Sequence, residues 1–164
     1  ALKRLLKEGE FTEVKIEGLK KPYYISTNSN SFSNNKPIES STHFLSPFDN
    51  LIIQRKRIQN LFHFDYMIEC YLPESKRRYG YFTLPVLFNN EFVARFDPKA
   101  DRASQTFYIK SFHFEKSFKP NASFNNSFAL KLKEFAAFNS CDKIVIEKAD
   151  SSWKKNVMAT IKNL

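Results

Sequence analysis

Glycine is scarce, with only 3 among 164 residues, and none of them forms the Gly-rich run that cradles a phosphate. Ser46 is not set in a nucleophile elbow. Two cysteines far apart, Cys70 and Cys141, make neither a disulfide framework nor a zinc site. Cys70 reads as a small buried hydrophobe on the apolar row of a strand. The three histidines, His43, His63 and His113, lack the companions that hydrolysis or metal binding needs. No cofactor and no metal are therefore expected. No stretch approaches the roughly 18 apolar residues of a membrane-spanning helix, and no basic-then-apolar leader opens the chain. The expectation is a soluble, cytoplasmic protein with no membrane partner.

Aromatic bulk and positive charge are what the chain has in quantity. Its 18 Phe and 42% apolar residues are enough to fold one ordinary core with part of a second module attached. The formal charge of +9 and pI near 9.5 favour polyanions, nucleic acid first. The surplus is diffuse: residues 54–102 hold nine basic and six acidic groups. Charge alone leaves nucleic-acid binding open.

Taken in order, Leu2, Leu5 and Leu6 at helical spacing, then Lys7 and Gly9, read as the last turns of a helix with a glycine cap. Phe11–Glu17 and Lys21–Ile25 read as two strands around a basic tip. A helix followed by a two-stranded wing is how a winged helix ends, so residues 1–26 are expected to be the C-terminal piece of one. Lys3, Arg4, Lys20 and Lys21 are its candidate DNA contacts, and packing against neighbours is the alternative. Residues 27–42, rich in Ser and Asn, read as a linker. Residues 43–164 are expected to form a β-rich domain with capping helices.

Within that domain, Tyr66–Leu72 alternates as a half-buried strand should, with Glu69 facing out. Phe82, Leu84, Val86 and Phe88 form an apolar row leading to an Asn89-Asn90 turn. The returning strand is expected to place Phe92, Ala94 and Phe96 on one face and Val93, Arg95 and Asp97 on the other. Pro85 marks an edge or a bulge. A strand over Gln105–Glu115 is expected to put Tyr108, Phe112 and Phe114 on one side and His113 on the other. Phe124–Phe138 carries the stripe of an amphipathic helix, and Ile144-Val145-Ile146 reads as a short buried strand. A last helix capped by Ser151 or Ser152 has Trp153, Val157, Ile161 and Leu164 inward.

Lys76-Arg77-Arg78, interleaved with Tyr79 and Tyr81, is the best candidate for a ligand contact. The alternative is a solvated turn with Arg bridging to Glu74 or Asp65. Asp49, after Ser46-Pro47-Phe48, is expected to hold a tight turn through backbone N–H groups.

Ser46-Pro47-Phe48-Asp49, Arg55-Lys56-Arg57, Leu61-Phe62-His63-Phe64-Asp65-Tyr66, Lys76-Arg77-Arg78-Tyr79-Gly80-Tyr81 and Leu84-Pro85-Val86-Leu87 follow one another in register. Arg95, Asp97, Lys99 and Arg102 extend the series. Together they resemble the C-terminal part of the YcaQ/AlkZ-like winged-helix DNA glycosylases. The resemblance implies an α+β fold: a truncated winged-helix end (helix plus two-stranded wing), then an antiparallel β-rich domain with C-terminal helices packed on it. It implies excision of alkylated or cross-linked bases from double-stranded DNA by the full-length protein. The family's catalytic signature is a Gln-apolar-Gln or Gln-apolar-Asp triplet, and Gln54, Gln59 and Gln105 stand in none. The chain is therefore expected to be a fragment, inactive alone, with no catalytic residue of its own. Its candidate DNA contacts are Lys3, Arg4, Lys20, Lys21, Lys76, Arg77, Arg78, Arg95, Lys99 and Arg102. A non-enzymatic winged-helix regulator or a protein-interaction module are the alternatives. Asn50, Ile53 and Gln54 depart from the usual Pro, Trp and Asp, and His63 stands where Gly is common.

Overall fold

The computed structural model describes residues 2–28 and 40–164, in two compact units, Ala1–Pro37 and Ile38–Leu164. Most of the linker expected over 27–42 lies outside the described residues. In the first unit, helix α1 (Leu2–Lys7) precedes an antiparallel pair, β1 (Phe11–Val14) and β2 (Tyr23–Ser26). The helix closes as its glycine requires. Gly9 takes φ +73°, while the Glu10 and Gly9 N–H groups donate to Leu5 and Leu6 carbonyls at 3.0 and 3.2 Å. That paired closure satisfies two of the helix's orphan carbonyls. The strands are shorter than their apolar pattern indicated.

The second unit is a five-stranded sheet in the order β3-β4-β5-β6-β7, with β3 Thr42–Phe44, β4 Leu84–Phe88, β5 Glu91–Asp101, β6 Thr106–Phe114 and β7 Lys143–Lys148. The first four strands pair antiparallel. β7 corrects the all-antiparallel expectation: it runs parallel to β6, because helix α3 (Ala122–Phe138) carries the chain back across the sheet before β7 begins. Helix α4 (Ser151–Asn163) follows β7. No helix among the described residues is long and apolar enough to cross a membrane.

Two cores lie on the two faces of the sheet. Phe124, Phe128, Leu132, Trp153 and Val157 of α3 and α4 pack onto Val86, Phe96, Phe107 and Phe112. Phe128 is central, with ring centroids of Phe44, Phe112, Phe124 and Trp153 at 5.2–5.5 Å. The opposite face carries Ile52, Ile58, Phe64, Tyr66 and Phe92, supplied largely by helix α2 (Arg55–Phe62) and the chain that follows it.

Several expectations need correction. Tyr66–Leu72 is not a strand: the segment is irregular and ends in a turn, Leu72 N–H donating to Glu69 O at 2.9 Å, and Glu69, expected outside, is buried. Cys70 is half-buried. Two bulges break the period of two. Val86 pairs with Ala94 but Leu87 with Phe92, so Val93 is the extra residue. It joins Ala94 and Phe96 on the helical side, and Phe92 turns to the other core. Asp97 pairs with Ser111 but Pro98 with Ile109, so Lys110 bulges out. Phe107 and Ile109 therefore share the core with Phe112, and Tyr108 does not. Pro85 is not on an edge strand but, as the alternative expectation had it, stands beside a bulge, the β4–β5 register shifting after Val86; β3 ends there, and the Pro85 carbonyl takes the Leu45 N–H at 3.0 Å. Asp150, not a serine, caps α4 by accepting the Ser152 and Trp153 N–H groups at 3.0 and 2.9 Å. Leu164 and Val145 are exposed.

The turns follow their residues more closely. Asn89 takes φ +54° between β4 and β5. Asp49 accepts the Leu51 N–H at 2.7 Å, and Arg55 ties the same turn by donating to the Pro47 and Ile52 carbonyls at 2.9 and 2.6 Å. His63 ends α2 in the left-handed region, φ +52°, a conformation that Gly adopts without steric cost. Gln54 caps α2 without a side-chain bond, where a shorter Asp side chain could accept one of the helix's first N–H groups.

Candidate nucleic-acid interface

The Lys76-Arg77-Arg78 cluster sits on a strap, residues 69–82, that follows α2 and a stretch of coil and runs into β4. A single turn of 3₁₀ helix, Glu74–Lys76, opens it. Two buried carboxylates hold its far end. Glu69 Oε2 accepts the Tyr79 and Gly80 N–H groups at 2.8 and 3.2 Å. Asp97 takes the next two, Tyr81 on Oδ2 at 2.8 Å and Phe82 on Oδ1 at 2.9 Å. Four successive N–H groups are thus satisfied by two side chains, one from the strap's own start and one from β5. The Ser111 hydroxyl donates to the Tyr79 carbonyl, fixing the strap to β6. Tyr66 anchors it from below: its hydroxyl donates to the Thr83 carbonyl at 2.6 Å, and burial pushes its pKa up to about 12.

On this frame the cations divide. Lys76 and Arg78 are exposed and Arg77 is half-buried. Arg77 Nε donates to the Leu72 carbonyl at 2.9 Å, and its guanidinium lies 4.8 Å from the Tyr81 ring centroid. Arg78 lies 4.9 Å from the Tyr79 ring. Among the described residues, neither arginine is ion-paired with Glu74 or Asp65, so the internal bridge expected of an idle turn is not what holds them. Each keeps its charge available while its flat face rests on an aromatic ring.

Arg95 belongs to a different arrangement. Its side chain is 4% exposed and its Nε and Nη2 donate to Glu115 Oε1 at 3.0 and 2.6 Å. The guanidinium is sandwiched between Tyr79 and Phe64, 4.3 and 4.5 Å from their centroids. Arg95, a candidate DNA contact by sequence, is thus buried beneath the strap with its guanidinium already engaged by Glu115 and the two rings. Lys99 and Arg102 are exposed at and just beyond the C-terminal end of β5. In the first unit, Lys3, Arg4, Lys20 and Lys21 are all exposed, with Arg4 3.7 Å from Glu8.

Sequence reasoning passed over the two clamping carboxylates and Glu115. Their signal lay in Tyr79-Gly80-Tyr81: a glycine at φ +145° between aromatic residues marks backbone that something else must hold. His113 was also undervalued. It meets Tyr79 edge to face at 5.3 Å, and burial, with Arg95 and then Arg78, lowers its pKa while Glu69 and Glu115 oppose. A lowered histidine pKa favours the neutral ring in the fold. As pH falls below the ordinary value of 6.5 the unfolded chain therefore takes the proton first, and stability drops. Urea midpoints measured from pH 7.5 down to 5 should fall more steeply for the parent than for His113→Gln; identical slopes would remove His113 as the cause.

Two grooves flank the strap and share Arg78, Tyr79 and His113 as lining. One, about 840 Å³, runs toward Phe62, Glu115 and Lys116. The other, about 720 Å³, runs toward Lys110 and Lys148. No group of three or more potential metal ligands occurs among the described residues.

No solved structure matches the chain. The family model for AlkZ-like DNA glycosylases matches residues 1–138, from α1 through the whole strap to the end of α3. The chain belongs to the AlkZ-like DNA glycosylase family.

Proposed function

We propose that this chain supplies the scaffold and the backbone-directed cations of a DNA-repair glycosylase acting on alkylated or cross-linked bases, with the bond-cleaving residues contributed by sequence outside these 164 residues. The first unit is read as the helix and wing of a winged helix, its Lys3, Arg4, Lys20 and Lys21 directed at duplex DNA. The support for DNA contact is the strap: Lys76 and Arg78 project from backbone pinned by Glu69 and Asp97, beside an Arg77 seated on Tyr81. Positioned cations of this kind address a phosphate backbone with little ordering cost. For catalysis elsewhere, the support is that none of Gln54, Gln59 and Gln105 stands in the family's triplet.

The test is duplex binding by the chain across a salt series. The variant K76A/R77A/R78A should weaken binding about tenfold or more at low salt. It should also flatten the log–log salt dependence by about 0.9 for every phosphate it no longer neutralises. A triple variant that binds duplex as the parent does would remove the strap as a contact surface. Weak parental binding that changes little with salt would favour a protein-interaction module instead.

A further inference from the structure

Contact with a duplex backbone does not account for the strap's exposed rings. Tyr71 is 81% and Tyr81 55% exposed, on a segment hydrogen-bonded along its length. Leu72 N–H donates to Glu69 O, Lys76 N–H to Pro73 O and Arg77 N–H to Glu74 O at 2.9–3.1 Å, before the carboxylate clamps take over. The rings are thus presented by ordered backbone. Arg77 links them, holding the Leu72 carbonyl one residue from Tyr71 while covering one side of Tyr81.

Tyr81 and both arginines wall the 720 Å³ groove, with Lys110 and Lys148 also lining it. Lys110 is neutralised by Glu147 at 2.6 Å, and Asp97 is occupied by backbone N–H groups. Arg77, Arg78 and Lys148 then face Glu74 and the still-charged Asp97 carboxylate, so the groove keeps a small positive balance. A base-paired duplex keeps its base faces stacked inside, where a tyrosine ring cannot meet them. An unpaired strand offers those faces, and aromatic rings along a cationic groove are how proteins take such strands.

We propose that this groove binds a single unpaired DNA strand, its bases stacking on Tyr81 in the groove and on Tyr71, which stands on the same strap outside the groove's lining, and its phosphates meeting Arg78 and Lys148. The inference rests on the reading above that the strap faces DNA, and it narrows the partner of that surface from duplex backbone to unpaired strand.

Fluorescence anisotropy of the full 164-residue chain with a labelled oligodeoxythymidine, and with a blunt duplex of equal length, tests it. Tyr71→Ala and Tyr81→Ala should each weaken single-strand binding about 5- to 30-fold and leave duplex binding within about twofold, while Tyr81→Phe retains single-strand affinity. Tyr71 is so exposed that its truncation leaves the packing intact, so misfolding is no escape. Single-strand affinity indifferent to both tyrosines overturns the inference. If duplex binding then still depends on Lys76, Arg77 and Arg78, the broader reading stands without it. A parent that binds neither oligonucleotide overturns both.

Discussion

Gly80→Ala is expected to cost about 4 kcal/mol of stability in the second unit, from strain plus displaced buried hydrogen bonds. The single tryptophan, Trp153, is buried in that unit's main core, so its fluorescence in a urea titration reads the effect. Gly80 holds φ +145°, a region L side chains rarely adopt, and a Cβ there would lie within 2.5 Å of Asp97 Cβ and Cγ and close on Oδ2. Neither partner can yield cheaply. Asp97 is buried and engaged with two N–H groups, and moving it unsatisfies Tyr81 and Phe82 at the point where the strap joins β4. Shortening Asp97 to Ala does not relieve the clash, because Cβ itself is part of it. The double variant G80A/D97A should therefore be no more stable than G80A. A G80A midpoint equal to the parent's would mean that the strap is not clamped to the sheet.

The strap also shows where sequence was legible and where it was not. The β4–β5 hairpin could be read because its apolar row ended in residues that tolerate positive φ, and Asn89 adopts it. Helices α3 and α4 were legible from stripes that turned out to contain Phe124, Phe128, Leu132, Trp153 and Val157, all buried. Alternation failed at the bulges, where Val93 and Lys110 each shift the parity of every residue beyond them, and no local pattern announces an inserted residue. It also failed over Tyr66–Leu72, where no strand pairs the segment and burial falls on Tyr66 and Glu69 instead of on alternate residues. At the candidate site, charge drew attention to Lys76, Arg77 and Arg78. The roles of the residues that hold the strap, Glu69 and Asp97, did not show, since a carboxylate's work on distant backbone leaves no periodic trace. Arg95 was misread for the matching reason: a cation's burial depends on Glu115, 20 positions away in the chain.

That pair carries the second large effect. Glu115→Ala should destabilise the unit by about 3–5 kcal/mol, because it strands the Arg95 guanidinium, 4% exposed, without its counter-charge. The companion variant Arg95→Met should cost less, since Glu115 is 29% exposed and water can take over its charge. The Met thioether also keeps contact with the rings of Phe64 and Tyr79. Combining R95M with E115A removes both charges and should recover most of what E115A alone loses. The double-mutant cycle, read by urea denaturation, would then show a coupling of about 2 kcal/mol or more. Additive losses would mean that the ion pair is incidental and that Arg95 is held by its aromatic neighbours alone. The two outcomes bear on the strap, because Tyr79 rests on Arg95 from beneath and carries Arg78. If the pair is coupled, E115A should also weaken DNA binding under conditions where the protein remains folded, whereas R95M should leave it near the parent's value.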